Sequence, residues 1–336
     1  MTTIYRVFRR LAAGGATLAL LLGAPLSVPV AAAPVAPAPA ALAQVAPVTF
    51  HDCADCPEMV AIPAGSIDIG STPEERSNAG TPAMFGDREG PVVKVTIARP
   101  YALGRTEVTR KMYAAFIADT RRVDPAGCGI HDAAKDSWSP QPGYNWHNPG
   151  FAQGDDHPVV CVSFDDAAAY AAWLSHKTGK RYTLPSEVQW EYAARGGTRT
   201  AWYWGDAMET GCDKANILSS GMVAAFGSPN SMAGRVVCNA AHTFTTPVAS
   251  YAPNPFGLYD MIGNAFEWVA DCYADSHVAT PTDGSANVQS GCTRHFLKGG
   301  AFHTPLWLTR SAVRGNPIPA DLHMFTIGFR VARVID

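Results

Sequence analysis

Charge is scarce in this chain, and neither sign dominates. Asp, Glu, Lys and Arg make up 16% of its 336 residues, with 26 Lys and Arg against 29 Asp and Glu for a net charge of -3. No field of one sign is therefore available to hold nucleic acid or an anionic membrane surface. Long apolar runs are missing as well. The stretch Leu11 to Ala24 falls short of the ~20 residues a bilayer span needs, and Pro25 ends it. With Arg6, Arg9 and Arg10 before it, and small residues at Ala31-Ala32-Ala33 and Ala41-Leu42-Ala43 after it, this stretch reads as an export signal. Residues 1–44 are thus expected to be signal peptide and Ala/Pro-rich leader. The mature protein is then periplasmic or secreted, with no membrane span after cleavage. There is also no internal repeat and no second core, so residues 45–336 are expected to form one domain.

What the chain does have is 30 Gly, 26 Pro and eight Trp, the composition of a loop-rich domain with aromatic anchors. Val92 to Ile97 alternates and is β-branched, which predicts a strand, and Tyr101 to Gly104 suggests a second. Thr109 is placed to cap a helix carrying Met112, Tyr113, Phe116 and Ile117 on one face. Residues 121 to 157 show no period and are expected to be a long irregular loop. Ser163 opens the clearest helix, which Gly179 stops, and Ser186 with Gln189 forms a capping box for another that ends at Gly196-Gly197. Arg294 to Lys298 and Phe329 to Val334 read as short strands.

The eight cysteines are an even number behind an export signal, which argues for disulfides. Pairing of neighbours (Cys53 with Cys56, Cys128 with Cys161, Cys212 with Cys238 and Cys272 with Cys292) would pin the ends of one loop each. The spacing of Cys53-Ala54-Asp55-Cys56 also suits redox exchange or a metal. No strand-to-helix context of the thioredoxin kind surrounds it, so a structural bridge is the expectation.

The stretch from Gly257 to Tyr273 is the hub of the chain. Its glycines ask for tight turns inside an apolar run of Leu258, Tyr259, Phe266 and Trp268. Gly263-Asn264-Ala265-Phe266-Glu267 can offer several carbonyls and one carboxylate to a common centre, a hard oxygen set that suits calcium. On composition alone, Glu267 more simply pairs inside a packed turn.

The hub resembles the GLYDM-x-GN-x-WEW signature of the formylglycine-generating enzyme, or sulfatase-modifying factor, family. Further matches follow in the family's order: Glu58 to Gly65, Thr106-Glu107-Val108-Thr109, His157-Pro158-Val159, Leu184-Pro185-Ser186-Glu187, Trp190 to Arg195, Lys298-Gly299-Gly300 and Gly328-Phe329-Arg330. The resemblance implies an α+β, loop-rich formylglycine-generating-enzyme fold, related to C-type lectin-like domains. It also implies oxidation of a cysteine in a client sulfatase by copper held on two cysteines.

Here the corresponding positions are Thr304 and Thr309, and a hydroxyl does not replace the thiolate that copper(I) selects. Copper is therefore not expected. The family's active-site serine falls at Ala301 and its asparagine nearest Thr326, while Glu107 and Trp268 match the rest of that pocket. Of the scattered His295, His303 and His323, read as singletons in preference to a common metal site, His303 adjoins Thr304 and is the first choice for a replacement chemistry. Structural calcium is implied at Ile262, Gly263, Ala265 and Glu267. A second calcium site is implied at Asn216 and Ile217, weakened because its distal aspartate falls near Ala240.

The nearest branch in character is that of the periplasmic pyoverdine-maturation protein, which shares the export signal and lacks the copper cysteines. Two functions follow as expectations. One is a divergent oxidoreductase or maturation factor acting on a peptide or peptide-derived substrate. The alternative is a non-catalytic, calcium-stabilised peptide- or glycan-binding domain with its aromatic cleft near Trp268 and Trp307.

Overall fold

The helices begin and end where local side-chain chemistry dictates. The computed structural model of the chain describes residues 46–82, 85, 87–132, 137–226, 238–239 and 242–335, so the expected leader and Ala240 lie outside the described residues. The elements run β1 Thr49–Phe50, β2 Met59–Ile62, β3 Gly65–Ile69, α1 Pro73–Asn78, β4 Val93–Ile97, β5 Tyr101–Gly104, α2 Arg110–Thr120, β6 Gly127–Asp132, β7 Ser137–Pro142, α3 Phe164–Thr178, β8 Tyr182–Thr183, α4 Glu187–Arg195, α5 Ser220–Phe226, β9 Phe266–Cys272, β10 Arg294–Lys298, β11 Ile318–Pro319, β12 Ile327–Gly328 and β13 Ala332–Val334. The Thr109 hydroxyl accepts from the Met112 amide at the start of α2. Ser163 and Asp166 close a capping box on α3, as Ser186 and Gln189 do on α4, and Gly179 and Gly196 take the left-handed conformation that ends each helix.

Two sheets organise the domain. One has the order β1-β2-β5-β13-β8, antiparallel throughout; the other is β11-β10-β9-β12, with β12 parallel to β9. The apolar face of α2 packs Tyr113 and Phe116 against Tyr170 of α3 and against Phe329, with Phe116 and Tyr170 edge-on at 5.6 Å. Rings buried this fully contribute on the order of 2 kcal/mol each from area, plus the edge-on contact. Truncating Phe116 to alanine would cost about 3–5 kcal/mol.

The irregular loop expected over 121–157 is corrected by the structure, because β6 and β7 pair as an antiparallel hairpin over six residues. Prolines at 140 and 142 and the absence of alternation concealed it. The terminal strand expected over Phe329 to Val334 begins only at Ala332, since Phe329 and Arg330 turn inward between β12 and β13. The bridges Cys53–Cys56, Cys128–Cys161, Cys212–Cys238 and Cys272–Cys292 are all formed, and no cysteine is free. No helix among the described residues is long and apolar enough to cross a membrane.

Candidate functional site

Gly299 and Gly300 follow β10 and lead into the segment that carries Thr304 and Thr309. Gly300 has φ 81°, and a Cβ on it would fall 2.6 Å from Thr309 Cγ2 and 3.4 Å from Thr304 Cβ, so both threonines sit against this one backbone position. Each hydroxyl is already committed. Thr304 Oγ1 accepts from the Ala301 amide at 2.9 Å, while Thr309 Oγ1 donates to the Leu306 carbonyl at 2.9 Å and accepts from Trp202 Nε1 at 3.1 Å. Both side chains are buried and do the work of turn and core.

Above them lies a mainly apolar cavity of about 230 Å³, lined by Gly300, His303 and Thr326 together with Phe266, Met324 and Asn316 among others. Of the expected cleft residues, His303 and Thr326 therefore face it. Ala301 is fully buried. Glu107 and Trp268, expected in the same pocket, are not among the residues that line this cavity. Trp268 is buried in the core, donating Nε1 to the Val162 carbonyl at 3.0 Å and meeting Phe164 edge-on. Trp307 is reached through Phe85, a lining residue 5.2 Å from its ring.

His303 is ringed by Trp138, Phe266, Phe302 and Phe325 at 5.5 to 6.2 Å between centroids. Burial of the imidazole pushes its pKa down to about 4, so it is neutral at physiological pH, and its Nδ1 has no hydrogen-bond partner. A neutral imidazole in apolar surroundings can accept a hydrogen bond, or a proton from an acid well below neutral pKa. The three histidines considered together lie in separate places: His295 stacks on Phe164 and His323 pairs with Asp166 at 2.8 Å.

The hub turn is held from several sides. A Cβ at Gly263, φ 84°, would lie 2.3 Å from the Asn216 carbonyl oxygen. That same oxygen accepts the Asn264 amide at 2.7 Å, and the Gly263 amide donates to the Gly299 carbonyl at 3.0 Å. Beyond the turn, Glu267 is fully engaged. Its Oε2 accepts from Arg330 Nε and Trp190 Nε1, both at 2.7 Å, and its Oε1 accepts from Arg330 Nη2 at 2.6 Å.

Two more carboxylates act on this ion pair. Glu107 is buried with neither oxygen bonded, and burial, with Asp260 nearby, pushes its pKa well up. Asp260 accepts the Ala249 amide at 2.7 Å, and burial raises it to about 6. Its acidity beside the turn was not recognised in the sequence, although it stands in the hub stretch itself.

Three acids against one guanidinium, two of them reluctant to ionise, suit an added divalent cation in charge and in donor hardness. Among the described residues, however, no three His, Cys, Asp or Glu side chains cluster closely enough to hold an ion unaided. A calcium ion here would therefore rest partly on backbone oxygens, as expected for Ile262, Gly263 and Ala265. At the second expected site the Asn216 side chain donates to Phe244 O and Asn264 Oδ1, and Ile217 is buried in a satellite core.

This loop-rich α+β domain, with short strands around a sealed core, is of the formylglycine-generating, C-type lectin-like class. The model of the sulfatase-modifying factor enzyme 1-like domain matches residues 45–335, and the chain belongs to that family. It is 34% identical over 272 residues to the formylglycine-generating enzyme of Thermomonospora curvata, covering 73% of this chain and 82% of the relative. It is 29% identical over 272 residues to the inactive C-alpha-formylglycine-generating enzyme 2 of Bos taurus, covering 70% and 81%. Among solved structures it is similar to PvdO from Pseudomonas aeruginosa, at 35% identity and a TM-score of 0.69, covering 86% of this chain and 98% of that one. That similarity fits the branch implied by the threonines at the copper positions.

Proposed function

We propose that this chain is an exported maturation factor that works without the family's copper and holds a peptide or peptide-derived substrate in the cavity beside His303. The observation that carries this reading is the pair of threonines beneath Gly300, buried and with both hydroxyls already bonded, where copper chemistry requires thiolates. Four bridges and no free cysteine agree with an oxidising compartment outside the cytoplasm. His303 is the titratable group on the cavity wall, and it would orient the ligand or take its proton. Calcium, if bound at the hub turn, would hold loops in place through Ile262, Gly263 and Ala265, with Glu107, Asp260 and Glu267 balancing its charge.

The experiment compares peptide-derived metabolites from cells lacking the gene with cells carrying wild type or His303→Phe. An unmatured compound is expected in the deletion, cleared by wild type and not by His303→Phe. Identical metabolite profiles in all strains would count against a maturation role.

A second reading, a non-catalytic peptide- or glycan-binding domain, is favoured by the mainly apolar cavity wall and the lack of any thiolate there. It predicts a ligand that co-purifies chemically unchanged. Incubation with copper(I) and a sulfatase-derived cysteine peptide is expected to yield no aldehyde under either reading.

A further inference from the structure

The Cys272–Cys292 bridge differs from Cys53–Cys56 and Cys128–Cys161 in what surrounds its sulfurs. Cys128 and Cys161 are both sealed in the core. Beside Cys53–Cys56, His51 bonds the Cys56 carbonyl and not a sulfur. At the fourth bridge, Cys272 is buried at the end of β9, while Cys292 stands half-buried in a turn ahead of β10, next to exposed Gly291 and Thr293. His295 Nε2 lies 3.7 Å from Cys292 Sγ. The Nδ1 of the same ring is 3.0 Å from the Asp271 carbonyl oxygen, an acceptor that places the ring proton on Nδ1 and turns the Nε2 lone pair toward sulfur. Stacking on Phe164, with centroids 3.4 Å apart, fixes the ring plane. Burial pushes the pKa of the ring down, against the pull of the Asp271 carbonyl and of the Asp165 charge at the start of α3. On the other side of the bridge, the Gln289 amide donates to Cys272 Sγ at 3.2 Å.

Thiol–disulfide exchange needs an accessible sulfur to attack, a stabilised sulfur to leave and a base to generate the attacking thiolate. All three meet here. We infer that Cys272–Cys292 with His295 is an exchange site that oxidises a cysteine pair in a peptide or protein.

One substrate thiol gives its proton to His295 Nε2, and the thiolate attacks Cys292 Sγ. A substrate–Cys292 bond forms, the Cys272–Cys292 bond breaks, and its electron pair leaves on Cys272 Sγ, which takes the proton back from His295. The second substrate thiol then attacks the substrate sulfur of the mixed disulfide. This closes the substrate bridge and passes its own proton to the released Cys292. Two electrons and two protons have moved from the dithiol to the protein, and exchange with an oxidised disulfide carrier of the compartment restores the bridge.

The test uses the full oxidised chain under native conditions with reduced glutathione as probe, followed by acid quenching, alkylation and peptide mapping. The expected product carries glutathione on Cys292 and alkyl on Cys272 while the other three bridges remain closed. His295→Asn, whose amide can still donate to the Asp271 carbonyl, should slow this opening about tenfold or more and flatten its pH profile. Glutathione on Cys272, earlier opening of another bridge, or reaction only together with unfolding would overturn the assignment. An unchanged rate and pH profile in His295→Asn would overturn the role of the imidazole.

Discussion

Replacing Glu267 by glutamine keeps the side-chain shape and removes the charge, and the surrounding donors make the cost calculable. Both oxygens of Glu267 accept from N–H groups, Oε1 from Arg330 and Oε2 from Arg330 and Trp190, at 2.6 to 2.7 Å. Whichever way the new amide is turned, its NH₂ meets an N–H donor: at the Oε1 position Arg330 Nη2 loses its acceptor, and at the Oε2 position both Arg330 Nε and Trp190 Nε1 do. Since both Glu267 and Arg330 are buried, breaking the pair from one side should cost about 3–5 kcal/mol. Arg330→Met should cost at least as much. It also removes donors to the Gly104 and Tyr259 carbonyls and leaves Glu267 facing Glu107 and Asp260 without a cation. The double variant buries no unpaired member of this pair, so it should be less destabilised than the sum of the singles by about 3 kcal/mol. Urea unfolding with the bridges intact, followed by tryptophan fluorescence, measures all four corners of the cycle. Additivity within about 0.5 kcal/mol would refute the claim that the two side chains act as a pair.

Burial alone would push the Asp166 carboxyl up, but hydrogen bonds from His323, Ser163 and Arg122 outweigh it and hold the pKa well below the usual range. Its contribution to stability is therefore present above the unfolded value of 3.8 and lost as pH falls through the folded one. Asp166→Asn should destabilise by about 1–3 kcal/mol at neutral pH, with the gap to wild type closing in acid, as read by melting from pH 7 to pH 2. The double variant Thr304→Cys/Thr309→Cys should show two titratable thiols where wild type shows none, and should gain tight copper(I) binding in a chelator competition. No gain would mean that the two positions do not face one another. Chelator should lower the melting temperature and calcium restore it. The raised carboxyls of Asp260 and Glu107 contribute stability below their unfolded values and lose it as pH rises, through about 6 for Asp260. The calcium response should therefore be larger at pH 7.5 than at pH 5.

Local rules carried most of the fold that was legible in the sequence. Thr109, Ser163 and Ser186 announce helix starts because a hydroxyl must satisfy amides that have no partner within the helix, and Gly179 and Gly196 announce the ends. Strand β9 was missed because Phe266 to Cys272 is buried along most of its length on both faces, leaving no alternation to read. The candidate site was less legible for a related reason. Which of Glu107, Trp268 and His303 face a cavity depends on contacts between residues far apart in the chain: His303 lines the cavity described above, and Glu107 and Trp268 are buried away from that lining. The loss of the thiolates could be read directly, since it needs only the count from Lys298-Gly299-Gly300.

The signature residues that revealed the family are, in this structure, largely its framework. Glu187 accepts from Arg314 Nε and Nη2, Glu191 pairs with Arg195 at 2.9 Å and Lys298 at 3.3 Å, and Glu267 holds Arg330. These buried pairs tie α4, β9, β10 and the segment before β13 into one lattice, and each costs several kcal/mol to break from one side. None of these charges lines the cavity. A cysteine beneath Gly300 can therefore become a threonine without disturbing the lattice, provided the new hydroxyl finds partners, and both do. Matches of this kind report the scaffold, whereas under the proposed function Thr304 and Thr309 mark where the family's thiolates would stand and His303 is the residue that would meet the ligand. The order of sensitivity should follow. Substitutions in the lattice should lower the unfolding midpoint and ligand binding together, whereas His303→Phe should alter binding with the midpoint little changed. A lattice variant that kept full stability, or a His303→Phe protein that unfolded with the lattice variants, would show that framework and site are not separable in this way.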